Sequence, residues 1–446
     1  MRKEMLRQTI VALAAGILIS SLMVLTYFLE RDETSVLIAT YTLAFLAYLG
    51  CVLLARSQRT VYLLIGVAVL GRLVFLPAEP NLSDDIYRFV WDGRLVQQGV
   101  NPFAYLPSEL MEGKADSLGI EVDEALYAEL NSPDYYTIYP PINQAVFTAA
   151  VWLSPHSLSG STILIRCLLL LAELGTIWLL IRLAGMNGVP RKQVLWYALN
   201  PLAILEMTGN LHFEALMIFF LLGSVYLYQK QRWWFSACLF GLAVCTKLIP
   251  LMFLPLFLRR MGWQRALKYY GIVGVTTLLL FLPLISESLV QGLGNSIGLY
   301  FQKFEFNASI YYIVREIGYY RKGYNIIETA GQQLAVAAFL AIVLYTVLER
   351  RKHLMDAFGW VWLIYLLFAL TIHPWYSLPL LAFTVLTHYR YAVVWTYFIF
   401  LTYAGYTADG FHENLWLVSL EYMTVFGWLG YELFQLHCMR SQNAQT

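Results

Sequence analysis

Long apolar runs alternate with short polar breaks along nearly the whole chain. They fall near 7–29, 35–55, 60–76, 161–183, 193–207, 212–229, 233–246, 248–258, 266–285, 331–349, 357–372, 375–388, 391–407 and 413–436. A helix needs roughly 20 apolar residues to cross a hydrocarbon core of roughly 30 Å. Many of these runs approach that length, and the pattern predicts an all-α polytopic membrane protein with about 12–14 spans. The first run, behind Met1-Arg2-Lys3, is longer than a signal-peptide core. Tyr27-Phe28-Leu29 offers no small-residue cleavage site, so this run is expected to remain as a span. The apolar stretch 144–154 is too short to cross and is expected to lie along the interface. With no repeat of fixed period, 1–446 reads as one membrane domain.

The polar breaks carry a second pattern. Arg2, Lys3, Arg7, Arg56, Arg59, Arg182, Arg191, Lys192, Lys230, Arg232, Arg259, Arg260, Arg265, Arg350, Arg351, Lys352, Arg390 and Arg440 all fall on one side of the expected spans. Lys and Arg accumulate in short cytoplasmic loops, so both termini are expected to be cytoplasmic. The other side receives two long loops, 77–160 and 286–330, with tight turns at 209–210, 246–247, 373–374 and 409–410. Between Pro77 and Pro141 there are twelve Asp or Glu and three Lys or Arg, so the first loop is expected to be external.

Composition agrees and narrows the partners. Hydrophobic residues make up 59% and charged residues 13%, about half the charged share of an ordinary soluble domain. A net charge of +1 gives no reason to expect nucleic acid as a partner. The five cysteines have no regular spacing and read as small buried hydrophobes. The triplets Asn81-Leu82-Ser83 and Asn307-Ala308-Ser309 match glycosylation sites, a match frequent by chance.

Charge returns where chemistry is expected. In Ser83-Asp84-Asp85-Ile86-Tyr87-Arg88-Phe89-Val90-Trp91-Asp92-Gly93-Arg94, Ser83 fits an N-cap and the two aspartates fit a first helical turn. A plain acidic cap and a reactive carboxylate pair both fit this spacing. Asp84, Arg88 and Asp92 recur at four-residue steps and share one helix face, so Arg88 is expected to hold the carboxylates. In Tyr139-Pro140-Pro141-Ile142-Asn143-Gln144 the prolines start a helix, while Tyr139 and Gln144 are available to sugar hydroxyls. External turns add His212 with Glu214, Lys247, and His373-Pro374-Trp375-Tyr376. Lys247 stands apart from the cytoplasmic basic loops and suits an anion such as phosphate. No metal site is expected, since His212 and Glu214 lack a third neighbouring ligand.

With these motifs in order, the chain resembles the integral-membrane glycosyltransferases of the GT-C fold, and among them the polyprenol-phosphate-mannose-dependent mannosyltransferases. The resemblance rests on Ser83-Asp84-Asp85 with Tyr87-Arg88, Trp91-Asp92-Gly93-Arg94, Gly99, Asn101-Pro102, Tyr139-Pro140-Pro141 with Gln144, Asn200-Pro201, Gly209-Asn210 with His212 and Glu214, Thr246-Lys247 with Pro250, and His373-Pro374-Trp375-Tyr376. It implies a GT-C-like bundle whose two external loops carry interfacial helices. It also implies transfer of a hexose, mannose, from a polyprenyl-phosphate-sugar donor to a lipid, glycan or protein acceptor on the external leaflet, without a cofactor. Asp84 or Asp85 would be the general base, Asp84 being favoured because its face carries Arg88 and Asp92. Lys247, with Arg88 or His373, would stabilise the leaving phosphate. Trp91, Asp92, Arg94, Tyr139, Gln144, His212, Glu214, Trp375 and Tyr376 complete the expected binding residues. The family's usual signature is Asp-Glu or a spaced acidic pair, and here it is Asp-Asp.

Two rivals use the same residues. A secondary transporter would place Glu173 or Glu206 in a water path. A glycan ligase or polymerase would meet a lipid diphosphate with several external cations, for which Arg88, Arg94, Lys247, Lys303 and Arg315 are available.

Overall fold

A computed structural model describes residues 2–286, 289, 304–350, 353–407 and 409–443. Of the positions invoked above, Lys303, Arg351, Lys352 and most of 287–303 lie outside that set. The fold is helical, with one short hairpin pairing Tyr406–Thr407 with Gly410–Phe411 among the described residues. Helices α1 (Arg2–Tyr27) and α2 (Thr34–Leu54), with Leu158–Met186, Trp263–Leu284 and Ile327–Leu348, are each long and apolar enough to cross a membrane.

The remaining apolar segments are shorter, broken or, in the unbroken helix Leu415–Asn443, less apolar, so among the described residues five continuous spans, or six counting a bent pair, stand against the larger number expected. Prolines account for much of the difference. Pro201, Pro250, Pro255 and Pro374 each sit in the first turn of a new helical piece, where their missing N–H does no harm. Pro201–Gly209 and Glu214–Gln229 meet at a bend of 110°. A break of that kind frees carbonyls that need donors away from water. Arg166 supplies them, donating to the carbonyls of Thr208 at 2.9 Å, Gly209 at 3.0 Å, Leu76 at 3.0 Å and Ala78.

Helix α3 (Gln58–Leu73) is capped by Ser57, whose Oγ accepts from the Thr60 amide at 3.1 Å. Near its other end Arg72 donates to Glu173 at 2.8 Å, and Tyr197 donates to the second oxygen of the same carboxylate at 2.6 Å. Arg72 and Glu173 are both fully buried. A buried carboxylate paired on both oxygens pins three helical segments together. It is not poised in a water path.

Helix α4 (Asp85–Gln97) starts one residue later than a Ser83 cap would give, with Asp84 in the cap position. It lies against the Pro141–Leu153 helix, which begins at Pro141 as the proline pair suggests. Phe89 stacks on Phe147 at 4.4 Å and meets Tyr139 and Phe213 edge-on. The closest approach is at Gly93, where an added Cβ would stand 2.7 Å from the Phe147 carbonyl oxygen and 2.8 Å from a Val151 methyl. Gly93→Val is therefore expected to cost about 1–3 kcal/mol through overpacking. Thermal unfolding in detergent reads this directly, and an unshifted midpoint would contradict the packing.

In the second long loop, Ile310–Lys322 buries Tyr311, Tyr312 and Gly318 and exposes Ile313, Ile317 and Tyr320. Both glycosylation triplets have committed amides. Asn81 donates to the Leu25 and Leu29 carbonyls at 2.7 and 2.9 Å, and Asn307 donates to Glu421 at 3.1 Å. All five cysteines are free, but Cys167 and Cys238 are exposed, which corrects the expectation that all are buried.

Candidate active site

A cavity of about 430 Å³ opens where the first long loop meets four distant segments. Its floor is Leu82 to Asp85 with Arg88, and one wall is the run Asn131–Ser132 and Tyr135 to Tyr139. Arg31 enters from the turn between α1 and α2, and Phe304, His373, Trp375 and Tyr406 add aromatic rings to the lining. Carboxylates, a cation and flat rings around one space suit a polar, ring-shaped ligand.

The two aspartates have different surroundings. Asp84 accepts from Arg31 Nη1 at 3.0 Å. Arg31 in turn lies over the Tyr406 ring at 4.7 Å. The Asp85 carboxylate has no hydrogen-bond donor and no ion-pair partner among the described residues, and it opens into the cavity. Asp84 is held; Asp85 is free.

Arg88 does not hold either carboxylate, which corrects the expectation from helical spacing. Because α4 begins at Asp85, Asp84 lies outside the helix and the four-residue step to Arg88 does not bring the pair together. Arg88 Nε donates to Asp92 at 2.9 Å, and Nη1 donates to the carbonyls of Ser132 and Tyr135 at 3.3 and 2.9 Å. Fully buried Asp92 also accepts from Thr137 Oγ1 and from Gln144 Nε2 at 2.9 Å. Arg88, Asp92 and Gln144 thus hold the 131–139 wall over the start of α4.

The other expected residues divide by position. Tyr139, His373 and Trp375 line the cavity. Trp91 is buried with its ring 5.9 Å from Tyr127, and Arg94 pairs with Asp123, so both brace the outer loop away from the cavity. The backbone amide of Leu126, then Arg94, holds the Asp123 carboxyl below its usual range. His212 stacks on Trp375 at 3.5 Å, and Trp375 on His373 at 4.5 Å. His212 Nε2 stands 3.1 Å from Glu206 but outside hydrogen-bonding geometry, leaving an electrostatic contact. Lys247 pairs with buried Glu214 and lies 5.1 Å from the Tyr376 ring, behind the wall and not lining it. Burial, with His212 and Lys247 nearby, lowers the His373 pKa to about 3. His373 is therefore a neutral ring at pH 7.

Arg31, Tyr135, Tyr136, Ile138, Phe304 and Tyr406 also face the space and are not singled out by motif. Arg31 carries the signal that drew attention to Lys247, a basic residue in a turn away from the basic loops. The tyrosines and Phe304 have no such mark in a chain that is 16% aromatic. Among the described residues no group of three His, Cys, Asp or Glu is placed to hold a metal ion.

The chain is similar to several known proteins. Alpha-(1->6)-mannopyranosyltransferase A of Corynebacterium glutamicum is 25% identical over 203 residues, which is 45% of this chain and 38% of that protein. The B enzyme of the same organism is 22% identical over 334 residues, 67% of this chain and 54% of that protein. The A enzyme of Mycobacterium tuberculosis is 23% identical over 250 residues, covering 53% and 46% respectively. The chain thus spans about half or less of the relatives it matches. A family model described as the N-terminal domain of alpha-(1->6)-mannopyranosyltransferases matches residues 9–262. That stretch holds Arg31, both aspartates and the 131–139 wall, while Phe304, His373, Trp375 and Tyr406 lie beyond it. Matched over more than half its length, this membrane protein belongs to the alpha-(1->6)-mannopyranosyltransferase family.

Proposed function

We propose that the chain transfers a mannosyl unit from a polyprenyl-phosphate-linked donor to an acceptor hydroxyl on a lipid, glycan or protein in the membrane. The observation that carries this reading is the free Asp85 carboxylate in a mixed polar and aromatic cavity, within a chain of this family. Asp85 takes the proton of the acceptor hydroxyl as that oxygen bonds to the anomeric carbon. The bond from the anomeric carbon to the phosphate oxygen breaks, its electron pair stays on the phosphate, and polyprenyl monophosphate leaves. No cofactor enters the balance. The displacement inverts the anomeric carbon, so an alpha product, as in the relatives' names, requires a beta-linked donor.

Helix ends support an external site. Arg2, Lys3 and Arg7 lie at the start of α1, Arg56 lies between α2 and α3, and Arg59 lies at the start of α3. The cavity draws Arg31 and Asp84–Asp85 from the opposite ends of these helices. By the positive-inside rule the termini are cytoplasmic and the cavity faces the periplasm or a lumen.

The test is transfer of radiolabelled mannose from beta-linked polyprenyl-phosphate-mannose in membranes containing the full chain, with products sorted by class. Label is expected in an alpha-linked product with the beta donor and not with the alpha anomer. Labelling from a nucleotide-linked sugar alone would remove the lipid donor from this reading.

Among the described residues, no geometry favours the rivals. Glu173 is locked to Arg72 and Tyr197, and Glu206 accepts from Tyr403 at 2.7 Å and Asn210 at 3.2 Å. Of the cations available to a lipid diphosphate, Arg88, Arg94, Lys247 and Arg315 each pair with a carboxylate, and Lys303 lies outside the described residues.

A further inference from the structure

A departing lipid phosphate gains negative charge and needs a cation that can reach it. Three nearby groups are poorly placed for this. Arg88 is nearly buried and its Nε and Nη1 are committed to Asp92 and two carbonyls. Lys247 is matched by Glu214 and stands behind the wall. His373 is a neutral ring.

Arg31 differs on each count. Its side chain is 31% exposed, it lines the cavity, and its ion-pair partner Asp84 is itself 41% exposed. A guanidinium has five N–H donors in a planar fork, and Nη1 to Asp84 is the hydrogen bond made by this side chain among the described residues. The guanidinium lies over the Tyr406 ring at 4.7 Å, and Arg31 is part of the cavity lining. Planar, two-point contact with phosphate oxygens is what arginine offers and lysine does not.

We propose that Arg31, delivered by the α1–α2 turn, binds the phosphate of the lipid-linked donor and exchanges Asp84 for it when the donor arrives. This rests on the reading of the cavity as a lipid-phosphate-sugar site. In the empty site Asp84 keeps the guanidinium oriented in the cavity. As the sugar–phosphate bond breaks, charge accumulates on the phosphate, and the contact with Arg31 strengthens. Asp84 is then a placeholder for the phosphate and Asp85 the base.

Binding of farnesyl monophosphate, inorganic phosphate and farnesol to the full chain in detergent separates the possibilities. Arg31→Gln is expected to weaken farnesyl monophosphate at least about tenfold, the scale of a lost charge-assisted contact, and to change farnesol binding by less than about twofold. Arg31→Lys should recover part of the loss. Asp84→Asn removes the competitor and is expected to leave farnesyl monophosphate binding equal or tighter. If Arg31 served only to position Asp84, Asp84→Asn would weaken the ligand as much as Arg31→Gln does, and the exchange would be overturned. Unchanged affinity in Arg31→Gln would overturn it too. Equal binding of inorganic phosphate and farnesyl monophosphate to the unaltered chain would mean that a bare anion is read and not a lipid headgroup, against the proposal. Transfer assays keep the two readings apart. Mannose transfer with an Arg31→Gln protein of normal donor affinity removes the Arg31 role alone. Absence of transfer from any lipid donor, with Arg31-dependent phosphate binding intact, removes the transferase reading alone.

Discussion

Asp85→Asn is expected to lower mannosyl transfer by about 10²–10⁴-fold, the usual contribution of a positioned general base. Asparagine fills nearly the same volume and keeps a polar head, so the cavity retains its shape. What it loses is the ability to take the acceptor proton. The rest of the site predicts where the effect should fall. The Asp85 carboxylate has no partner among the described residues, so its replacement breaks no ion pair and the protein should insert and melt as before. Donor affinity should be preserved, because the more exposed cation lining the cavity belongs to Arg31. Single-turnover transfer with bound donor isolates the chemical step. A rate within about tenfold of the unaltered chain would remove Asp85 as the base. Asp84→Asn should retain more activity than Asp85→Asn in the same assay. The reverse order would give the proton to Asp84.

The second large effect is on stability. Asp92→Ala is expected to cost about 3–5 kcal/mol, because it leaves a buried guanidinium without its counter-charge. Asp92 is fully buried and accepts from Arg88, Thr137 and Gln144, which belong to α4, the cavity wall and the 141–153 helix respectively. Its loss frees three donors at once and loosens the wall from Ser132 to Tyr139. Asp92→Asn keeps the shape and one acceptor oxygen, so a smaller drop is expected, about 1–3 kcal/mol. Thermal unfolding in detergent, with protease cleavage within 129–139 as a local readout, measures both. A wild-type midpoint for Asp92→Ala would show that the wall is held by other contacts.

How much of this was legible beforehand depended on how local each cause is. Helix 233–246 could be placed from the chain alone because an apolar run between a basic turn and Thr246-Lys247 has one reading. The start at Pro141 followed from proline geometry, and the acid-rich loop drew attention to a segment that lines the cavity. The partner of Arg88 was not legible. Its side chain reaches a carboxylate four residues before or after, and the choice turned on whether the helix begins at Asp84 or at Asp85. Arg31 was harder still, since its partner is 53 residues away and nothing in Glu30-Arg31-Asp32-Glu33 names it. Tyr406 and Phe304 owe their place to chain reversals hundreds of residues from the aspartates. Breaks at Pro201 and Pro250 divided apolar runs that hydrophobicity alone joins into spans.

The walls of the cavity are drawn from Arg31 at one extreme of the chain and Tyr406 at the other. Chains emerge from the ribosome N-terminal end first. The aspartates are therefore made long before the rings that will face them. No nascent fragment short of Tyr406 holds a complete pocket, so an interrupted or truncated chain carries its carboxylates without the enclosure that would make them reactive.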